Sequence, residues 1–101
     1  MRILPNPITF DWDEGNIDKN LIKHNVTNQE AEEVFMNKPL LVNEDVEHSG
    51  QEIRYQALGK TNLSRLLFVS FTLRYQKARP ISVRDMNKKE RRVYEKIKGY
   101  S

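Results

Sequence analysis

A chain of 101 residues, 38% apolar and 31% charged, suffices for one compact domain and leaves no room for a second core. It has no cysteine, which excludes disulfides, thiolate nucleophiles and the usual structural zinc sites; no run approaches the ~18 apolar residues of a membrane span, and MRILPNPITF lacks the pattern of a secretory signal, so a cytoplasmic protein is expected. The net charge of +3 hides a split: residues 1–53 hold 4 Lys and Arg against 11 Asp and Glu, and residues 54–101 hold 13 against 3, so the basic half is suited to an anionic partner unless the halves fold against each other.

Along the chain, ITF (8–10) has the composition of a short strand, and Phe10 and Trp12 read as core rather than as base-stacking platforms. Asp13 can cap a helix whose apolar positions Ile17 and Leu21 stand four apart, with Lys23 and His24 in its last turn, where cations suit the negative helix end. Asn25 is a left-handed stop. Thr27 and Glu30 then make an S/T-x-x-E capping box with the staple residues Val26 and Ala31, and Ala31, Val34 and Phe35 form one buried stripe before Pro39. This predicts a helical hairpin.

The middle of the chain predicts sheet. LLVNE (40–44) and IRYQALG (53–59) have strand character around the polar DVEHSGQ, and Gly59 with residues 61–64 marks a tight return. RLLFVSFTL (65–73) is apolar on both alternations, as in a central strand covered on both faces. ARPISVR (78–84) is the return strand; Pro80 cannot donate to a ladder, so the strand either begins there or lies at an edge on that side. Asn87 caps a last, basic helix with Glu90 three residues on and Val93 with Ile97 as its apolar seam. The expected fold is α+β: a helical hairpin, three or four antiparallel strands in a meander, and a basic C-terminal helix, all in one domain over residues 1–101.

Strand alternation then places candidate chemistry. Arg54 and Gln56 share one face of their strand, opposite Tyr55 and Ala57. In the return strand Ile81 and Val83 are core-like, which sets Ser82 and Arg84, with Pro80, on the other side. In a shared sheet Arg54 and Arg84 form one surface bordered by Arg74, Lys88, Lys89 and Arg91. Such a cluster suits a phosphate, because each planar guanidinium can hold two oxygens at once. A plainer account remains open, in which Arg54 pairs with Glu52 or Glu44 and KKERR is a solvated helix face. His24 is either an acid or base or a helix-end dipole partner, His48 reads as an exposed turn residue, and Tyr94 either reaches the basic surface or packs. Two histidines without cysteine make no recognisable metal site, so neither metal nor cofactor is expected. An enzyme acting on nucleic acid, a non-catalytic nucleic-acid-binding module and a protein-binding module all fit these features.

The combination of FDWD (10–13), Asn20 with Lys23, His24 and Val26, EAEEVF (30–35), Glu52-x-Arg54, ALGKT (57–61) and ISVRDMNKKERRVYE (81–95) resembles the BrnT family of toxins, from about Phe10 to about Glu95. The resemblance implies a RelE-like fold and a metal-independent ribonuclease of a type II toxin-antitoxin system. It also implies arrest of translation and neutralisation by a BrnA-like antitoxin in a hetero-oligomeric complex that binds operator DNA through the antitoxin. Residue by residue, it implies catalytic roles for Arg54, Arg84, Lys23, His24 and Tyr94. Arg74, Arg79, Lys88, Lys89, Arg91 and Arg92 would then hold the RNA backbone. Pro80 departs from the family pattern, which makes the register of the last strand the point to examine.

Overall fold

The computed structural model describes residues 4–98, ordered α1 (Lys19–His24), α2 (Asn28–Met36), β1 (Leu41–Glu44), β2 (Arg54–Lys60), β3 (Leu66–Arg74), β4 (Lys77–Asp85) and α3 (Lys88–Lys98). The four strands form an antiparallel meander in sequence order. The expected α+β arrangement is therefore present with four strands and three helices. The ITF segment contributes one parallel bridge, Phe10 to Ala78.

One sheet face carries the apolar core. Ala57, Val69 and Val83 lie in one cross-strand row, Tyr55, Phe71 and Pro80 in the next, and Val26, Ala31, Val34 and Phe35 cover them. Phe35 meets both Phe10 and Phe71 edge-on, at centroid distances of 5.5 and 5.1 Å. Gly59 sits where α2 crosses β2, and a Cβ there would stand 2.7 Å from Val34 Cγ1, so this close approach requires glycine.

The register of β4 corrects the sequence expectation. Ser82 pairs with Ser70, but Phe71 pairs with Pro80, so a bulge consumes Ile81 and reverses the alternation of the residues before it. Pro80 and Ala78 turn into the core, and Arg79 turns to the opposite face; an unbulged strand would have placed them the other way round. A proline that cannot donate to the ladder is tolerated at such a bulge.

The helices also depart from expectation in instructive ways. Thr27 and Glu30 make the full capping box, and Asn25 is left-handed at φ 56°, as expected. Asp13, however, opens a turn, since the N–H groups of Asn16 and Ile17 donate to its carbonyl, and α1 starts only after Asp18. Ile17 and Leu21 stay exposed, while Asn16 and Asn20 are buried. The reason is that α1 lies along β4, an edge strand whose free backbone groups need polar partners. Asn16 Nδ2 donates to the Pro80 carbonyl at 2.9 Å, and the Val83 N–H donates to Asn20 Oδ1 at 2.9 Å. With α1 on β4 and α2 on β2 and β3, the two helices pack on different parts of the sheet rather than as a hairpin.

The α3 helix lies on the face opposite α2 and meets β2. Its sheet-facing line is the half-buried Glu90, the fully buried Tyr94 and the half-buried Ile97, with Val93 exposed, rather than a Val93–Ile97 seam. Asn87 and Glu90 cap each other, and Glu90 is gripped by Arg84, which fixes the rotation of the helix and turns the residue four further on, Tyr94, into the sheet.

Candidate functional site

Cross-strand pairing places four rows of side chains on the face that α3 only partly covers. Under α3 lies Leu58–Phe68–Arg84; then come Gln56–Ser70–Ser82, Arg54–Thr72–Arg79 and, at the hairpin end, Arg74 with Lys77. Arg54 and Arg79 are two strands apart in one row, a Cα separation of about 10 Å. A cleft lined by Arg54, Arg74, Arg79 and Lys19, with Glu52 and Thr72, opens there. The bulge creates this convergence, because it turns Arg79 onto the face of Arg54.

The three arginines differ in their partners. Arg74 donates to Glu52 from Nε and Nη2 at 2.8 and 2.9 Å, and Arg79 donates to Asp13 from both Nη atoms at 2.9 Å, with Asp11 3.6 Å away. The Arg79 guanidinium, with help from the Gly15 N–H, holds the Asp13 carboxyl below the usual carboxylate range, and Arg74 does the same for Glu52. Arg54 is exposed, and its guanidinium has no carboxylate partner among the described residues. Glu52, a partner that sequence alone offered to Arg54, belongs to Arg74 instead. The site is thus one unengaged fork between two forks already closed on carboxylates.

The remaining candidates are elsewhere. Arg84 shares the sheet face of Arg54 but lies four ladder positions away along β3, roughly 13 Å. Its guanidinium stacks 4.2 Å over Phe68 and donates to both Glu90 oxygens at 2.8 and 3.0 Å. Burial would raise the Glu90 carboxyl, but the bonds from Arg84 and the Asn87 N–H outweigh it and hold Glu90 below its ordinary range. His24 is half-buried near Asp85, whose carboxyl is held low mainly by Arg65, with Arg91 and His24 adding to the effect. Lys23 is exposed on the same helix. Lys88, Lys89, Arg91 and Arg92 are exposed on α3, beyond the Arg84 end of the sheet. Tyr94 is fully buried and donates its hydroxyl to the Pro39 carbonyl at 2.7 Å. The structure thus brings Arg54, Arg74 and Arg79 together and separates them from Arg84, His24, Lys23 and Tyr94.

Of two groups beside the arginines, Lys19 was not singled out from sequence and His48 reads from sequence only as an exposed turn residue, which it is. Lys19 reaches the cleft because α1 runs along β4. His48 lines a groove shared with Glu52, Arg54 and Arg74, and its Nδ1–H donates to Asp45 Oδ2 at 2.9 Å. The spacing Asp45-x-x-His48 in the loop leading to the Arg54 strand was the available signal, although its meaning depends on how the loop folds back. Among the described residues, no group of three or more His, Asp or Glu side chains is arranged to hold a metal ion, and no helix is long and apolar enough to cross a membrane.

The family model described as "Ribonuclease toxin, BrnT, of type II toxin-antitoxin system" matches residues 12–90. No curated protein matches the chain.

Proposed function

Because the chain belongs to the BrnT family of type II toxin-antitoxin ribonuclease toxins, we propose that the groove around Arg54, Arg74 and Arg79 is where it grips and cleaves RNA. The carrying observation is the unengaged guanidinium of Arg54 in one row with Arg79 and beside Arg74. Cleavage of a ribose-phosphate linkage needs the 2′-OH deprotonated, the crowded phosphate stabilised and the 5′-oxygen protonated. Arg54 supplies the second task directly. Arg74 and Arg79 join it when phosphate oxygens replace Glu52 and Asp13. The exposed Lys88, Lys89, Arg91 and Arg92 of α3 extend the track for the backbone, and Arg84 braces that helix through Glu90.

The reaction in this reading is metal-independent, with guanidinium groups doing what a divalent cation would do. The fold is then of the RelE-like kind, used as a single domain, and the cellular consequence is inhibition of translation. A BrnA-like antitoxin with an acidic segment neutralises the toxin by covering the basic face, and the complex binds operator DNA through the antitoxin.

The test is cleavage of labelled RNA by purified protein with excess chelator, comparing wild type with Arg54→Ala. Losing one preorganised donor costs on the order of 10²-fold in rate, and cleavage should also fall steeply with added salt. Because Arg54 has no carboxylate partner among the described residues, the variant should melt like wild type. A folded Arg54→Ala protein that cuts at the wild-type rate removes the assignment. RNA binding without new RNA ends returns the chain to a binding module.

A further inference from the structure

We propose that His48, oriented by Asp45, is the base that removes the 2′-OH proton when RNA lies in the arginine groove, an inference that rests on the reading of that groove as the cleavage site. The arginines stabilise charge but cannot accept a proton, since guanidinium stays protonated. The nearest carboxylates, Glu52 and Asp13, are each closed bidentately by an arginine. His24 and Tyr94 lie outside the groove. Lys19, which lines the arginine cleft, offers an ammonium that donates and cannot accept, whereas His48 lines the adjoining groove with Glu52, Arg54 and Arg74 and offers a ring nitrogen that can.

Its geometry is that of an oriented base. The Asp45 carboxylate is an acceptor only and stands 2.9 Å from Nδ1, so Nδ1 carries a proton and Nε2 is the ring nitrogen left to take one from substrate. Asp45 is fixed in turn: its side chain is only 10% exposed, whereas that of His48 is 62% exposed, so the acid is tucked in and the imidazole faces solvent. The loop is also tied to Arg54 itself. The Asp45 N–H donates to the Arg54 carbonyl at 2.7 Å, the Arg54 N–H donates to Ser49 Oγ at 3.0 Å, and Ser49 Oγ donates to the Asp45 carbonyl at 2.8 Å. One hydrogen-bonded ring therefore sets the positions of the base and of the phosphate-binding arginine together.

In the reaction, His48 Nε2 takes the 2′-OH proton, the 2′-oxygen bonds to phosphorus, and the bond from phosphorus to the 5′-oxygen breaks. Water protonates the departing 5′-oxygen, and the imidazolium returns its proton to solvent. The products are a 2′,3′-cyclic phosphate and a 5′-hydroxyl. Asp45 touches no substrate and is a positioning residue.

The experiment uses the full chain and a short labelled RNA. His48→Ala is expected to slow cleavage by about 10²–10⁴-fold, with partial recovery on adding free imidazole. His48→Asn keeps an amide donor for Asp45, and so the loop, yet has no base, so an equal loss at an unchanged melting temperature is expected. Asp45→Asn should lower kcat while KM holds, because an amide facing Nδ1 favours the wrong tautomer. Arg54→Ala should not respond to imidazole. Undiminished cleavage by folded His48→Asn overturns the assignment while leaving the arginine groove intact. A loss that imidazole does not restore overturns it as well. If the wild-type protein makes no cut, the groove reading and this inference fall together.

Discussion

Tyr94→Phe separates a structural tyrosine from a catalytic one. The ring is fully buried between α3 and the sheet, and the hydroxyl donates to the Pro39 carbonyl at 2.7 Å. Burial, with the Glu95 carboxylate nearby, pushes the phenol above its ordinary range, so at neutral pH it is a neutral donor. The substitution keeps the apolar ring and deletes one hydrogen bond, leaving a partly buried carbonyl without that donor. This costs about 1–2 kcal/mol, and in a domain of this size lowers the melting temperature by about 4–16 °C. Thermal unfolding measures the first effect, and RNA cleavage well below the transition measures the second, which should match wild type. A Tyr94→Phe protein as stable as wild type but 100-fold slower on RNA would refute the reasoning, because the hydroxyl would then be moving protons rather than holding α3.

Two further predictions follow from the hairpin and from the ion pairs. The β3–β4 hairpin turns on Tyr75 and Gln76, both left-handed at φ 51° and 64°, so Gln76→Gly should relieve backbone strain and stabilise by about 1 kcal/mol, read as a raised denaturation midpoint. Acid should destabilise the protein through the Arg65 cluster, in which Asp85 accepts at 2.7 and 3.0 Å and Glu30 at 3.2 Å. Arg65 holds Asp85 below its ordinary 3.8; burial opposes the shift at Glu30, but the Thr27 N–H and Arg65 still bring it below 4.5. Depressed folded-state values mean that the stabilisation is complete above those ordinary values and is lost as pH falls through the folded ones, so melting temperatures should hold above about pH 5 and decline below about pH 4.5. Arg65→Met should flatten that decline, and an unchanged pH profile would remove the cluster from the account.

Several elements were legible because they are written in short-range chemistry. Thr27 and Glu30 cap each other across three residues, and Asn87 and Glu90 repeat the pattern. The strand runs declared themselves through hydrophobic content and polar breaks, and alternation placed Arg54 opposite Tyr55 and Ala57. The misplaced features all depend on partners far along the chain. Ile17 and Leu21 fit a helical apolar stripe, yet β4 offered bare backbone groups, and Asn16 and Asn20 answered them. Val93 and Ile97 are as good a seam as any by spacing, but the grip of Arg84 on Glu90 set the rotation that buried Tyr94.

From sequence came the order and type of the elements, the charge division and the residue types able to meet a phosphate, because capping, alternation and composition act within a few residues. Tertiary structure alone decided which arginines meet. A single bulged residue, Ile81, turned Arg79 onto the face of Arg54, the ladder register left Arg84 four positions further along β3, and folding of the β1–β2 loop brought His48 beside Arg54 and Arg74. Register is a property of two strands together, so one extra residue in one of them redirects every side chain before it, and no periodicity within that strand reveals the change.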